Sequence, residues 1–201
     1  VLAKEDMIGM GTTQFKFLPA GELETLYYGN LGDAANMDAM TGIYNKGFLL
    51  QAIEVEFKRH KALHTDFSVI FFDLDHFKKI NDGFGHDAGD CVLRETSGLI
   101  YSSAVRPKDV FARYGGEEFV IVMPETDMAV ATIVAERLRR RIASEAFVIA
   151  GGAKKLDVTV SIGIATLDAP QDNAATILKR ADQALYRAKR DGRNRVVADA
   201  A

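Results

Sequence analysis

Between Asp66 and Asp75 the chain reads Asp-Phe-Ser-Val-Ile-Phe-Phe-Asp-Leu-Asp, and its centre, Val69 to Phe72, is an unbroken apolar stretch that ends in two aspartates. An apolar run this short and this continuous is expected of a β-strand covered on both faces. Such a strand needs layers on either side, and the flanking sequence offers them. Leu49, Ile53 and Phe57 fall at the spacing of an amphipathic helix before it, and Val130, Ile133, Val134, Leu138 and Ile142 mark another after it. Val158 to Ala165 reads as a further strand, Ile177, Ala181, Leu185 and Ala188 as a last helix, and Val196-Val197 as a short closing strand. Helices and strands alternate around one sheet, which predicts an α+β domain.

Residues 113 to 119, Arg-Tyr-Gly-Gly-Glu-Glu-Phe, lie between apolar runs that read as the two strands of a hairpin. Gly115 and Gly116 supply positive φ for a tight reversal and leave no Cβ in the way of a ligand approaching the backbone. The adjacent Glu117 and Glu118 repel each other, so a cation or ligand is expected beside them. A second acidic point stands at the end of the buried strand. Alternation puts Asp73 and Asp75 on one side, with Leu74 opposite and its carbonyl between them. Carboxylate and carbonyl oxygens suit magnesium, which keeps several waters and is completed by substrate phosphates. If the hairpin lies beside the strand, the two acidic points converge.

The next stretch, His76 to Asp90, gathers lysines, glycines and amide or acid groups into one connection before a helix whose buried face carries Val92, Leu99 and Ile100, with Thr96 between them. Lys78 and Lys79 can neutralise phosphate, and backbone N–H groups around a bend can cradle its oxygens. Asp90 falls in the first turns of the helix, where the macrodipole favours its ionised form. A carboxylate and an amide together fit a guanine edge: Asp90 takes two donors and Asn81 serves either pole, whereas adenine offers the carboxylate one donor. Taken singly, Asp90 reads as a helix cap and Asn81 as an Asx-turn.

Together these segments resemble the GGDEF family of diguanylate cyclases, over roughly residues 36 to 198. The resemblance is carried by Asn36 to Lys46, by Phe72-Asp73-Leu74-Asp75-His76-Phe77-Lys78 with Asn81-Asp82 behind it, by Gly115 to Phe119, by Val160 to Ala165, and by Ala181 to Lys189 running into Gly192-Arg193-Asn194. Glu117 stands where the family name has aspartate, Lys46 where arginine is frequent, and Met40 where leucine is usual; each keeps the charge or apolar character. The implied fold is a nucleotidyl-cyclase-like variant of the ferredoxin-like arrangement, a central, mainly antiparallel sheet flanked by helices.

The resemblance implies an enzyme that condenses two GTP into cyclic di-GMP with loss of two pyrophosphates, on a homodimer that brings two bound substrates face to face. Glu117 and Lys78 are then the catalytic residues, Glu117 as general base or metal ligand. Asp73, the Leu74 carbonyl, Glu117 and Glu118 hold magnesium or manganese, two ions per active half-site. Phe77, Lys78, Asn81, His86, Asp90, Gly115, Gly116, Lys189 and Arg193 contact substrate, with Lys189 and Arg193 on the outer phosphates. Arg106-Pro107-Lys108-Asp109 matches the family's Arg-x-x-Asp site, where the product cyclic di-GMP inhibits through Arg106 and Asp109. Two rivals stay open: a degenerate domain that binds GTP or cyclic di-GMP and signals through a partner, and a cyclase for other purines.

A formal charge of −3 argues against a polynucleotide partner, whose binding rests on clustered cations. Arg137 and Arg139 to Arg141 read as the solvated face of their helix. With Cys91 as the one cysteine, no intramolecular disulfide forms, and the residue is expected to pack as a small apolar group. No apolar run approaches the ~20 residues of a membrane-spanning helix. We expect a cytoplasmic domain, with room for a membrane anchor in a longer protein. Residues 1 to 35 read as a linker or signalling segment with a short helix near Glu22 to Tyr28, the remnant of an upstream region.

Overall fold

The computed structural model describes residues 7–10, 13–16, 34–149, 154–167 and 173–199. Contacts divide the chain into Val1–Asn36 and Met37–Ala201. In the first unit, strands β1 (Met7–Met10) and β2 (Thr13–Lys16) pair antiparallel, a hairpin in a stretch read from sequence as linker. The helix expected near Glu22 to Tyr28 lies outside the described residues.

The second unit runs α1 (Lys46–Leu63), β3 (Phe67–Leu74), α2 (Phe77–Phe84), α3 (His86–Ser103), β4 (Val110–Gly115), β5 (Glu118–Pro124), α4 (Met128–Ala143), β6 (Ala146–Ile149), β7 (Lys154–Asp157), β8 (Val160–Thr166), α5 (Ala174–Arg190) and β9 (Val196–Ala198). Five strands form one sheet in the order β4-β5-β3-β8-β9, antiparallel except for the last pair. The apolar run is its central strand, and every residue of β3 is buried. This is the α+β, mainly antiparallel sheet flanked by helices that the sequence predicts.

The two faces of the sheet differ. Ile70, Phe72 and Leu74 join Phe111, Phe119, Ile121 and Ile162 in the larger core, completed by Val92, Leu93 and Ile100 from α3 and Leu138 and Ile142 from α4. Phe71 and Asp73 face the other way, toward α5. Phe71 is opposite Gly163 on β8, where a Cβ would lie 2.1 Å from the Ala181 carbonyl oxygen and 2.2 Å from the Leu185 nitrogen. Glycine there lets α5 lie directly on the sheet. One turn beyond Leu185, the same helix delivers Lys189 above Asp73.

Four details depart from the sequence reading. The connection from His76 to Gly85 contains a helix, α2, which buries Phe77 and Ile80 and is ended by Gly85 at φ 84°. On α4, Val130 and Ile133 are 44% and 69% exposed, because the face toward the sheet is Ala131, Ala135, Leu138 and Ile142. Small residues let that helix approach closely, and the larger side chains point outward. Phe57 is only half-buried; α1 packs through Phe48, Leu49, Ala52 and Ile53. A second antiparallel pair, β6 with β7, was not foreseen.

Candidate active site

Strand pairing decides where the acids meet. Register sets Asp73 opposite Glu118 on one side and Ser161 on the other, so all three share the α5 face of the sheet. The Leu74 amide donates to the Glu117 carbonyl at 3.3 Å, which ties the hairpin turn to the end of β3. The expected convergence of the two acidic points is therefore present. Gly116 takes φ 53° at the first central position of the turn, as a type II′ hairpin requires. Gly115 needs no positive φ, and a Cβ on either glycine would meet open space.

Asp73 is 6% exposed, and its Oδ2 lies 2.7 Å from Lys189 Nζ. Burial pushes its carboxyl up to about 6; the Lys189 hydrogen bond and charge pull against this, and Glu117 and Glu118 add to it. Burial likewise raises Glu118, with Asp182 and Glu117 reinforcing and Lys189 and Lys46 opposing. Asp73 and Glu118 thus share Lys189, with Glu117 adding a third negative charge. Among the described residues no three His, Cys, Asp or Glu side chains are gathered into a ready-made metal cage. Magnesium does not need one, since one or two carboxylates, waters and phosphates complete its shell. A desolvated carboxylate partnered by an ammonium, with a backbone carbonyl and two glutamates alongside, is a donor set that fits a hard cation.

The remaining candidates lie on α2, in the first turns of α3 and in the turn after α5. Phe77 is buried in the first turn of α2, and Lys78 beside it is exposed, with no ion pair among the described residues. Asn81 packs over Gly89: a Cβ there would lie 2.0 Å from Asn81 Oδ1. Asp90, the residue after Gly89, is half-buried, one turn after exposed His86 at the start of α3. Arg193 follows α5 in an exposed turn, its guanidinium without a partner among the described residues.

Two residues that sequence reasoning missed hold the frame. Arg113 donates through Nε and Nη2 to the Gly116 carbonyl at 2.9 and 2.7 Å, and through Nη1 to Asp38 at 3.2 Å. Burial resists ionisation of Asp38, but hydrogen bonds from Thr41 and the Arg113 guanidinium outweigh it and hold the carboxyl below its usual range. The clamp thus fixes the signature turn to the start of the domain. Asp75, read beside Asp73 as part of a cation site, is otherwise engaged. It accepts from Ser161 Oγ at 2.6 Å, Thr159 Oγ1 at 2.7 Å and the Asn194 amide at 3.0 Å.

Arg106 and Asp109 also meet. The arginine donates to Asp109 from Nε at 3.0 Å, Nη2 at 2.6 Å and its own amide at 2.8 Å, while Nη2 reaches Thr126 Oγ1 at 2.8 Å. The Asp109 side chain is 0% exposed, so this is no ordinary surface pair. It lies at the Pro124 end of β5, about 20 Å along the strand from Glu118. A cavity of about 440 Å³ beside it is walled by Tyr44, Tyr101 and Phe111. On α4, Arg140 and Arg141 lie on the solvated face expected and pair with Glu136 and Glu145, whereas Arg139 is 19% exposed and bonds both Glu136 and Asn194 Oδ1. Cys91 is half-buried against the core. No described helix is long and apolar enough to cross a membrane.

Comparison with known proteins agrees with this geometry. The family model for "Diguanylate cyclase, GGDEF domain" matches residues 35–195. Response regulator PleD of Caulobacter vibrioides is 43% identical over 169 residues, 84% of this chain and 37% of that protein. Diguanylate cyclase A of Treponema denticola is 44% identical over 129 residues, 64% of this chain and 34% of its own length. The chain thus spans little more than a third of these relatives. Among solved structures, the GGDEF domain of DgcB from Caulobacter crescentus in complex with c-di-GMP superposes with a TM-score of 0.80 at 32% identity, covering 84% of this chain and 96% of that one. An active GGEEF domain of a diguanylate cyclase from Vibrio cholerae gives 0.72 at 37% identity, covering 78% and 97%.

Proposed function

The chain belongs to the GGDEF diguanylate cyclase family, and from that premise we propose that it condenses two GTP molecules into cyclic di-GMP, releasing two pyrophosphates. The observation that carries this reading is the cross-strand pair Asp73 and Glu118, desolvated beside Glu117 and facing Lys189 of α5. Each 3′-hydroxyl attacks the α-phosphorus of the other nucleotide, so two P–O bonds form and two break. Magnesium or manganese, two ions per half-site, would be held by Asp73, the Leu74 carbonyl, Glu117 and Glu118, and when bound supplies charge neutralisation and a lowered hydroxyl pKa.

This chain's own residues do the rest. Glu117, in the open turn, accepts the hydroxyl proton or ligates the ion. Lys78, without an ion pair among the described residues at the start of α2, meets charge that develops on the phosphates, and Lys189 and Arg193 grip the outer ones. Asn81, packed over Gly89 at the α2–α3 contact, and Asp90 read guanine, with His86 and Phe77 as further contacts. Gly115 and Gly116 leave the approach clear. One protomer presents half the reactants, so catalysis needs a homodimer.

Arg106 and Asp109 form the product-inhibition site. The Nη1 of Arg106, without a bond among the described residues, offers two donors to a phosphate or guanine acceptor, and the aromatic walls of the neighbouring cavity suit a purine. The substrate is a cytosolic nucleotide, which supports a cytoplasmic setting for this domain. Incubating the chain with magnesium and either GTP or ATP, then separating products by chromatography, tests the reading. Cyclic di-GMP and pyrophosphate from GTP alone are expected; GTP binding without turnover in a dimeric sample would overturn it.

A further inference from the structure

Asp75 is a buried carboxylate that the proposed chemistry does not use. It is 5% exposed, and no lysine or arginine pairs with it among the described residues. Its partners come from two distant places. Ser161 and Thr159, on and just before β8, fill it with O–H donors at 2.6 and 2.7 Å, and its own amide returns a bond to the Thr159 carbonyl at 2.8 Å. The third donor is the Asn194 amide, at 3.0 Å, from the turn after α5.

That turn is unusual. Gly192, Arg193 and Asn194 stand at φ 112°, 63° and 45°, three consecutive residues in a region that side chains disfavour. Such a conformation persists only where its surroundings impose it. Here the Arg193 amide bonds the Ala188 carbonyl at 3.0 Å, Arg139 Nη1 holds Asn194 Oδ1 at 2.8 Å, and Asp75 holds the Asn194 amide. Of these, the Asp75 bond alone ties the turn to β3, two residues from Asp73.

We propose that Asp75 is a positioning residue: clasped by Ser161 and Thr159, it fixes the Gly192–Asn194 turn and sets where the Arg193 guanidinium meets the outer phosphates. The proposal rests on the reading of Arg193 as a phosphate ligand. It explains why the acid two places after Asp73 is satisfied by hydroxyl and amide donors rather than left open to a cation. An asparagine at 75 has one acceptor oxygen and would turn N–H groups toward donors, so the clasp would open with little change in volume.

Calorimetric titration of the full chain with a non-hydrolysable GTP analogue and with GMP, both with magnesium, tests this. Asp75→Asn is expected to weaken the analogue about tenfold and GMP by less than twofold, since GMP lacks the outer phosphates. Arg193→Ala should show the same split, and the double variant no further loss than Arg193→Ala alone. Equal weakening of GMP and analogue, unchanged binding, or additive losses would overturn the proposal. Should Asp75→Asn fail to fold, Ser161→Ala removes one clasp and keeps the carboxylate; a loss of about threefold, confined to the analogue, is expected there, and no loss rejects the role. If Arg193→Ala leaves the analogue's affinity unchanged, the phosphate reading of Arg193 falls, and this inference with it, while the cyclase reading still stands on its own product test.

Discussion

The ammonium of Lys189 lies 2.7 Å from Asp73 Oδ2, so the carboxylate proposed to hold a divalent ion is already paired with a cation from the last helix. The pairing is a consequence of packing. Gly163 lets α5 rest on β8, and the helix projects Lys189 over the end of β3. On the proposed roles, Lys189 and a metal ion compete for Asp73 until nucleotide phosphates give the lysine another partner.

Lys189→Met separates these roles. Without the ammonium, Asp73 loses its ion-pair partner, and affinity for manganese in the absence of nucleotide should rise about threefold or more, as expected when a competing cation on a buried carboxylate is removed. Affinity for the GTP analogue should fall about tenfold, the weight of a charge-assisted phosphate contact. Manganese binding followed by electron spin resonance, with parallel calorimetry on the nucleotide, reads both. A fall in both affinities would mean that Lys189 supports the metal site rather than competing for it.

Asp73 also predicts how stability depends on pH. Its folded carboxyl binds a proton near 6, against an ordinary 3.8, chiefly because of burial. The native state therefore holds the extra proton between those values, and metal-free stability falls as pH rises through that window, by about 3 kcal/mol in all. Asp73→Asn removes the ionisation. In urea titrations it should be the more stable protein at pH 8 and lose its advantage near pH 4, while pyrophosphate release is abolished. A variant less stable than the parent at pH 8 would show that the Lys189 pair more than offsets the desolvation.

Gly89→Ala probes base recognition without touching a proposed ligand. The new methyl would lie 2.0 Å from Asn81 Oδ1 and 3.0 Å from the Phe77 ring, so the carboxamide must move. We expect kcat/KM for GTP to fall about 30-fold, in keeping with a loss of ~2 kcal/mol, and preference for GTP over ATP to shrink. Product chromatography from mixed nucleotides measures both. Unchanged preference would remove Asn81 from the guanine contact.

Much of this site was legible because its signals are short-range or periodic. The unbroken apolar run of β3 and the glycine hairpin each carry their own geometry, and charge repulsion between Glu117 and Glu118 pointed to a cation. Asp75 was not legible in the same way. Spacing in a strand places it on the Asp73 side, but its donors lie 84 and 86 residues further on, and only the fold brings them there. Helix α2 was hidden by its polar composition, with Phe77 and Ile80 its only buried residues. Val130 and Ile133 sat at helical spacing, yet periodicity does not say how close a helix will come to a sheet, and Ala131 and Ala135 took the inner face.

In its proposed inhibitory role, Arg106 would couple inhibition to stability. The Asp109 side chain has no exposure and accepts from three groups of Arg106: Nε, Nη2 and the backbone amide. Arg106→Ala leaves that carboxylate buried with one of the three donors, which costs about 3 kcal/mol and lowers the melting temperature by roughly 6–12 °C. The same substitution removes the proposed contact for product, so inhibition by cyclic di-GMP should weaken at least tenfold while initial rates without product, measured well below melting, stay within twofold of the parent. Thr126→Val supplies the control: it removes one acceptor of the guanidinium, Thr126 Oγ1, but keeps the Arg106–Asp109 pair. It should lower stability by about 1 kcal/mol and leave Arg106 available to product. Loss of stability in Arg106→Ala with inhibition intact would make this pair a structural strut at the far end of β5 and move the inhibitory site elsewhere.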